Sequence, residues 1–233
     1  MVIAIRGTVP AILENDIVDV KSWWRSVFDN NAKLTFPEEY FSRALLFYRQ
    51  AQRYAREHLG LMSNKVYVTG HSIGGAVAAL LPAHALILSK AVTFNAPGVF
   101  DMPDLDPCWH DVANFRLTYD FISSLDKPIG PLWSINVPEE YKPAEKVFEI
   151  AEEHKKNGWS RLDIVNDIIE SADFLESVVP QHSMANFLQA LITNYKDAAS
   201  DNYGILETGL EAVVMQAEDQ EEKLVLNSPF IAA

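Results

Sequence analysis

The chain has 233 residues, of which 48% are hydrophobic and 22% charged, which is enough apolar material for one sizeable folded domain. The formal net charge of −13 argues against nucleic acid as a partner, because phosphate groups would be repelled. The single cysteine, Cys108, excludes an intrachain disulfide and a metal cluster built on thiolates.

We expect no secretory signal in the N-terminal residues, since no basic stretch is followed there by a long apolar run. No apolar run reaches the roughly 18 residues that a membrane-spanning helix needs. The longest candidate, residues 76–88, is shorter and contains Pro82 and His84. We therefore expect a soluble protein, either cytoplasmic or exported without a recognisable signal peptide.

Four short apolar runs are typical of strands that are buried on both faces of a sheet. They are residues 2–5, 66–69, 91–94 and 114–119. Apolar residues at helical spacing lie between the first two runs, in residues 41–59, and residues 74–88 indicate a helix between the second and third. This alternation predicts an α/β fold with a parallel sheet of at least four strands.

The second half of the chain is dominated by helical patterns, in residues 139–156, 162–179 and 183–195. Pro180 is expected to end the second of these helices. We predict a single domain over residues 1–233, in which residues 133–180 form a helical insertion. We expect this insertion to form a cap or lid over the site, with an addition to the core as the alternative.

The strongest chemical signal is the segment Gly70-His-Ser-Ile-Gly-Gly75, which stands between a predicted strand and an Ala-rich helix. A G-x-S-x-G sequence in that context forms a nucleophile elbow, in which a strained turn exposes the serine hydroxyl. Ser72 is the predicted nucleophile. The backbone N–H of Ile73, at the start of the helix, is aimed at a developing oxyanion. A chance serine in a glycine-rich turn is the alternative.

This segment resembles the fungal-type triacylglycerol lipases, the class 3 lipases, which are α/β-hydrolases. The resemblance also rests on residues 3–8, Ile-Ala-Ile-Arg-Gly-Thr, and on residues 92–97, Val-Thr-Phe-Asn-Ala-Pro. It covers about residues 2–125 and resumes near His182. In that family the turn after the early strand supplies a second oxyanion donor, and Thr8 occupies its position here.

A serine needs a base and an orienting carboxylate, which in this fold follow it in the order Asp, His. Asp120 ends the fourth predicted strand and resembles the family's aspartate, with Asp126 as its rival. His182 resembles the family's late histidine before a closing helix. His154 lies in a charged run that we expect to be solvated, and His71 is expected to pack beneath the elbow.

The sequence therefore predicts a serine ester hydrolase, lipase-like, with Ser72, Asp120 and His182 as its triad and no metal or organic cofactor. The expected partner is an ester or lipid substrate. Trp23, Trp24 and Phe28, within residues 8–36, suit a transient contact with a lipid surface or ordinary burial. The alternatives are a non-catalytic binding protein of the same fold, or an acyltransferase or thioesterase that uses the same triad.

Overall fold

A five-stranded sheet organises the part of the chain that the structure, a computed structural model, describes: residues 1–7, 38–60, 66–84, 89–99, 112–125, 128–137, 145–171 and 174–200. Each strand is parallel to its neighbours, and the spatial order follows the sequence. The strands are β1 (Val2–Ile5), β2 (Tyr67–His71), β3 (Lys90–Phe94), β4 (Val112–Leu117) and β5 (Leu132–Ile135). The predicted α/β-hydrolase-like fold, with a parallel sheet of at least four strands, is confirmed.

The helices flank this sheet and occupy most of the second half of the described chain. They are α1 (Glu38–His58), α2 (Ile73–Leu80), α3 (Glu145–Lys156), α4 (Arg161–Glu170), α5 (Val179–His182) and α6 (Met184–Ser200). Short 3₁₀ turns cover Leu81–His84 and Ile122–Ser124, and a π-helical turn covers Phe174–Val178. Within the described ranges, no helix combines the length and the apolar character needed to cross a membrane.

The register of the strands brings the carboxyl ends of β2, β3 and β4 to one edge of the sheet. His71 is paired with Phe94, and Phe94 is paired with Phe115 on β4. Ligand sites of open parallel sheets lie outside this edge, because the loops that follow the strands converge there. Residues that directly follow β2, β3 and β4 are therefore the candidates for chemistry.

The main hydrophobic core joins the sheet to the helices α3 and α4 of the second half, whereas a smaller, separate cluster packs α6 against β4 and β5. The main core contains Ile3 and Val68 from the sheet, together with Val77 of α2. Val165 of α4 and Ala151 of α3 belong to the same cluster and are fully buried. The helices α3 and α4 thus contribute to the domain's main core, which favours an added core layer over a separately moving cap.

Two details of the sequence prediction are wrong. Residues 132–135 form the edge strand β5, so the first residues of the predicted helical insertion belong to the sheet. Pro180 does not end a helix that continues from residue 162, because α4 ends at Glu170 and Pro180 lies in the first turn of the separate helix α5. Proline is tolerated at that position, since the first N–H groups of a helix have no intrahelical acceptor.

Candidate active site

Ser72 occupies a strained turn between β2 and α2. Its backbone angles are φ 57° and ψ −136°, which a residue with a side chain rarely adopts. The turn is held from the neighbouring strand, since the Ser72 N–H donates a hydrogen bond of 3.1 Å to the carbonyl of Phe94. Gly70 and Gly74 make the turn possible, because a Cβ on Gly70 would overlap the backbone of Gly74.

The hydroxyl of Ser72 is buried and makes no hydrogen bond to any of the residues that the structure describes. A buried hydroxyl normally finds a partner, because leaving one unsatisfied costs free energy. The combination of a strained backbone and an unsatisfied hydroxyl is typical of functional positions, where a substrate can provide the missing interaction. Ser72 therefore has the local geometry of a nucleophile elbow.

Asp120 and His182 form a buried pair at the same edge of the sheet. The Nδ1 of His182 lies 3.0 Å from Oδ1 and 3.1 Å from Oδ2 of Asp120. The side chain of Asp120 is 0% exposed, and that of His182 is 10% exposed. The orientation of the Asp120 side chain is also fixed by the next turn of the chain, since its Oδ1 accepts a hydrogen bond from the backbone N–H of Ile122 at 3.3 Å. The carboxylate is thus oriented toward the imidazole.

The pairing determines which nitrogen of His182 carries the proton in the neutral ring. An ionised carboxylate only accepts hydrogen bonds, so the Nδ1 that faces Asp120 must donate. The second nitrogen, Nε2, then carries the lone pair. This is the tautomer that a histidine needs in order to accept a proton from a serine hydroxyl.

His71 connects the Ser72 turn to His182. The Nε2 of His71 donates to the backbone carbonyl of His182 at 2.7 Å, and the centroids of the two rings are 4.9 Å apart. Burial, followed by the proximity of His182, lowers the pKa of His71 to about 4. His71 is consequently neutral near pH 7 and bears its proton on Nε2. His71, the residue directly before Ser72, is therefore hydrogen-bonded to the backbone of His182.

Of the two residues predicted as oxyanion donors, Ile73 and Thr8, the structure describes Ile73. Ile73 is the first residue of α2, where backbone N–H groups have no intrahelical acceptor. Thr8 lies outside the described residues, as do Asp126 and the segment with Trp23, Trp24 and Phe28. Gly7, directly before Thr8, is close to the elbow, since a Cβ built on it would lie 3.3 Å from the Cβ of Ser72.

His154 lies in an exposed charged run, as predicted, but its own side chain is partly covered. Its ring stacks on Trp159 with centroids 4.1 Å apart, and its Nε2 lies 2.9 Å from Oδ2 of Asp167. These contacts tie the end of α3 to α4, which gives His154 a structural partner. His84, in the turn after α2, packs its ring edge-on against Phe41 of α1. Neither histidine contacts the Asp120–His182 pair.

Asn95, directly after β3, is the site residue that sequence reasoning missed. Its side chain amide donates to the carbonyl of His182 and accepts from the N–H of Leu117. Its φ of 46° lies in the left-handed region, in which asparagine is over-represented. An asparagine that directly follows a buried strand was the available signal, but its partners are far away in the sequence.

The described parts of this site are those found together in one class of enzyme. A strained serine, a buried Asp–His pair and a helix N-terminus at one edge of a parallel sheet are the components of a serine hydrolase of the α/β type. Residues 2–104 match the model of a family described as Lipase (class 3), so the resemblance seen in the sequence is confirmed over this segment. The matched segment includes Ser72 and supports a hydrolase, whereas Asp120 and His182 lie beyond it. No curated protein matches the chain.

Proposed function

We propose that this protein hydrolyses carboxylic esters of lipid-like substrates through an acyl-serine intermediate. The observation that carries the proposal is the buried, unsatisfied hydroxyl of Ser72 in its strained turn, together with the buried His182–Asp120 pair, to whose histidine backbone His71, directly before Ser72, is hydrogen-bonded. The lipase match over residues 2–104 supports the choice of lipid esters as the substrate class. The Ser72 turn, the His182 base and the Asp120 carboxylate each take one role in the reaction.

In the first half of the reaction, the Oγ of Ser72 attacks the ester carbonyl while Nε2 of His182 accepts the hydroxyl proton. The carbonyl π electrons move to oxygen, which becomes an oxyanion. When the tetrahedral intermediate collapses, the bond to the alkoxy oxygen breaks. His182 then returns its proton to that oxygen, so that an alcohol leaves and the acyl group remains on Ser72.

In the second half, water replaces the alcohol. His182 takes a proton from the water as it attacks the acyl-serine, and later returns that proton to Oγ. The products are a carboxylic acid and the regenerated Ser72. Asp120 stays ionised throughout and stabilises the imidazolium that forms twice in each cycle.

The oxyanion of both tetrahedral intermediates requires hydrogen-bond donors that are already in position. The N–H of Ile73 at the start of α2 provides one, assisted by the partial positive charge of the helix N-terminus. We assign the second donor to Thr8, because the resemblance to class 3 lipases implies that role for its position; Gly7, directly before it, approaches Ser72. Losing one such donor slows a serine hydrolase by about 10²–10³.

The test is covalent labelling with a fluorophosphonate, which reacts only with an activated serine. Wild-type protein should be labelled at Ser72 and should hydrolyse a short-chain soluble ester, and Ser72→Ala should do neither. Ser171→Ala is the matched control, since Ser171 bonds to the carbonyl of Ile168 in another part of the molecule. It should be labelled like wild type.

Two results would overturn the proposal. Equal labelling of wild type and Ser72→Ala would place the nucleophile elsewhere. Lipid binding by a folded wild-type protein that neither reacts with the probe nor releases acid from an ester would favour the non-catalytic binding protein.

A further inference from the structure

We propose that Asn95 is a positioning residue which, together with His71, holds the backbone of His182 so that its imidazole pairs with Asp120 and can accept the proton of Ser72 during the proposed reaction. This inference rests on the proposed function, because it assigns a task to residues around the proposed base. The two side chains come from different strand ends, β3 for Asn95 and β2 for His71, and both reach the same carbonyl oxygen.

The orientation of the Asn95 amide is fixed by its own partners. Asn95 is fully buried, and its backbone N–H donates to the carbonyl of Phe115 at 2.8 Å. Its Oδ1 accepts the N–H of Leu117 at 2.8 Å, so the other end of the amide must be the NH₂ group. This NH₂ group donates to the carbonyl of His182 at 3.3 Å.

The His182 carbonyl thereby receives two donors, which corresponds to its two lone pairs. His71 provides the shorter hydrogen bond at 2.7 Å, and Asn95 provides the longer one. Since Asn95 is also bound to β4 at Leu117, it connects His182 to the strand that Asp120 follows. Asn95 therefore holds the backbone of His182 to the strand that precedes Asp120 in the chain.

His182 needs such support because its own helix is short. The helix α5 has four residues, and His182 is the last of them. A helix of this length has little stability of its own, so tertiary contacts must fix its position. Gln181 contributes one of these by donating to the carbonyl of Thr118 at 2.9 Å. A displacement of about 1 Å at a catalytic group can cost about 10²-fold in rate.

Asn95→Asp is the sharpest variant for testing the role of Asn95. It keeps an oxygen for the N–H of Leu117 but replaces the donor that faces the His182 carbonyl by an acceptor. Asn95→Gly is the second variant, because glycine adopts the φ of 46° without strain and removes the side chain entirely. Should one of the two fail to fold, the other still tests the role.

Asn114→Asp is the matched control. Asn114 is a buried asparagine on β4 whose NH₂ group donates to the carbonyls of Ile129 and Pro131 and whose Oδ1 accepts from Thr93. The same chemical change therefore breaks comparable buried hydrogen bonds without contacting His182. Any loss of stability common to both Asn→Asp variants can be separated from an effect on the base.

For a short-chain soluble ester, we expect kcat of Asn95→Asp to fall by about 10²-fold with little change in KM, whereas Asn114→Asp keeps kcat near the wild-type value. Fluorophosphonate labelling should slow in parallel with kcat. His71→Gln, whose amide can still donate to the carbonyl, should retain more activity than His71→Phe. A folded Asn95→Asp whose kcat is no lower than that of Asn114→Asp would overturn the inference.

A second readout does not depend on activity. The proton on Nδ1 of His182 is shared with Asp120 and should give a far-downfield proton resonance, assigned by its loss in His182→Ala. This resonance should broaden or shift in Asn95→Asp and Asn95→Gly and stay unchanged in Asn114→Asp. An unchanged resonance in both Asn95 variants would contradict the positioning role of Asn95. If the wild-type protein did not hydrolyse the ester, that result would contradict the proposed function but not the positioning role.

Discussion

The Nδ1 of His182 lies 3.0 Å from Oδ1 of Asp120, although 62 positions separate the two residues in the chain. Between them the chain forms β5, α3, α4 and the π-helical turn before it returns to the edge of the sheet at α5. The sequence proposed these two residues as base and carboxylate. Their catalytic roles are predictions that substitutions can test one at a time.

The first prediction concerns the base. His182→Ala should abolish turnover of a short-chain ester, because no other group then accepts the Ser72 proton. His154→Ala is the control, since His154 contacts Trp159 and Asp167 rather than the site. It should keep wild-type turnover and lose only a little stability. Turnover is compared after circular dichroism confirms that both variants fold, and wild-type activity in a folded His182→Ala would place the base elsewhere.

The second prediction concerns the carboxylate. Asp120→Asn keeps the size of the side chain but presents an NH₂ group to Nδ1 of His182, which favours the wrong tautomer of the imidazole. Replacing the corresponding aspartate of a serine protease costs about 10⁴ in kcat, and we expect a loss of that order. Asp126→Asn should change kcat far less. If Asp126→Asn proved the more damaging of the two, Asp120 would be the wrong choice of carboxylate.

The elements that sequence predicted well have strong local signals. β1 is a continuous apolar run, and the elbow of residues 70–75 has glycines at the positions where backbones meet. β5 has no such signal, because Ser134 interrupts its apolar run, and the hydroxyl of Ser134 accepts a hydrogen bond from Nε of buried Arg116. Arg116 and Ser134 fit into buried strands only because the tertiary fold brings them together, so that each provides a hydrogen-bond partner for the other.

The role of Asn95 illustrates the same limit within the site. Its hydrogen bond to His182 spans 87 positions, and the bond of His71 to the same carbonyl spans 111. Local patterns cannot reveal such pairs, because they depend on where strands and helices end in space. The motif identified Ser72 from its neighbours in sequence, whereas the residues that hold the proposed base are defined by the tertiary fold.

The third prediction concerns the helices of the second half. Ile168 of α4 is 2% exposed and belongs to the main core, so Ile168→Ala should lower the free energy of unfolding by about 2–5 kcal/mol. Ile192→Ala on α6 is the matched control, because Ile192 is 47% exposed and should change it by less than about 1 kcal/mol. Urea unfolding, followed by circular dichroism, measures both.

A separate unfolding step for α3 and α4 in that experiment would contradict their place in a common core. A single cooperative transition that shifts to lower urea in Ile168→Ala is the expected result. The same cooperativity implies that these helices cannot be deleted without unfolding the domain. Changes in substrate preference should therefore be sought by substituting exposed residues of α3 and α4, with the helices left in place.

The last prediction is a pH dependence of stability that originates from His71. Its pKa is about 4 in the folded protein, lowered first by burial and then by His182, and about 6.5 when unfolded. Between these values His71 binds more protons in the unfolded chain than in the folded protein, so its contribution to stability falls as the pH drops from about 6.5 to 4. At about 1.4 kcal/mol per pKa unit, the loss attributable to His71 is about 3 kcal/mol.

His71→Gln should remove this contribution, because glutamine does not titrate but can still donate to the carbonyl of His182. The free energy of unfolding, measured in urea at several pH values from 7 to 4, should therefore fall less steeply in His71→Gln than in wild type. His58→Gln is the control, since His58 is exposed at the end of α1, and it should follow the wild-type curve. Parallel curves for His71→Gln and wild type would mean that His71 is protonated as readily in the folded protein as in the unfolded chain.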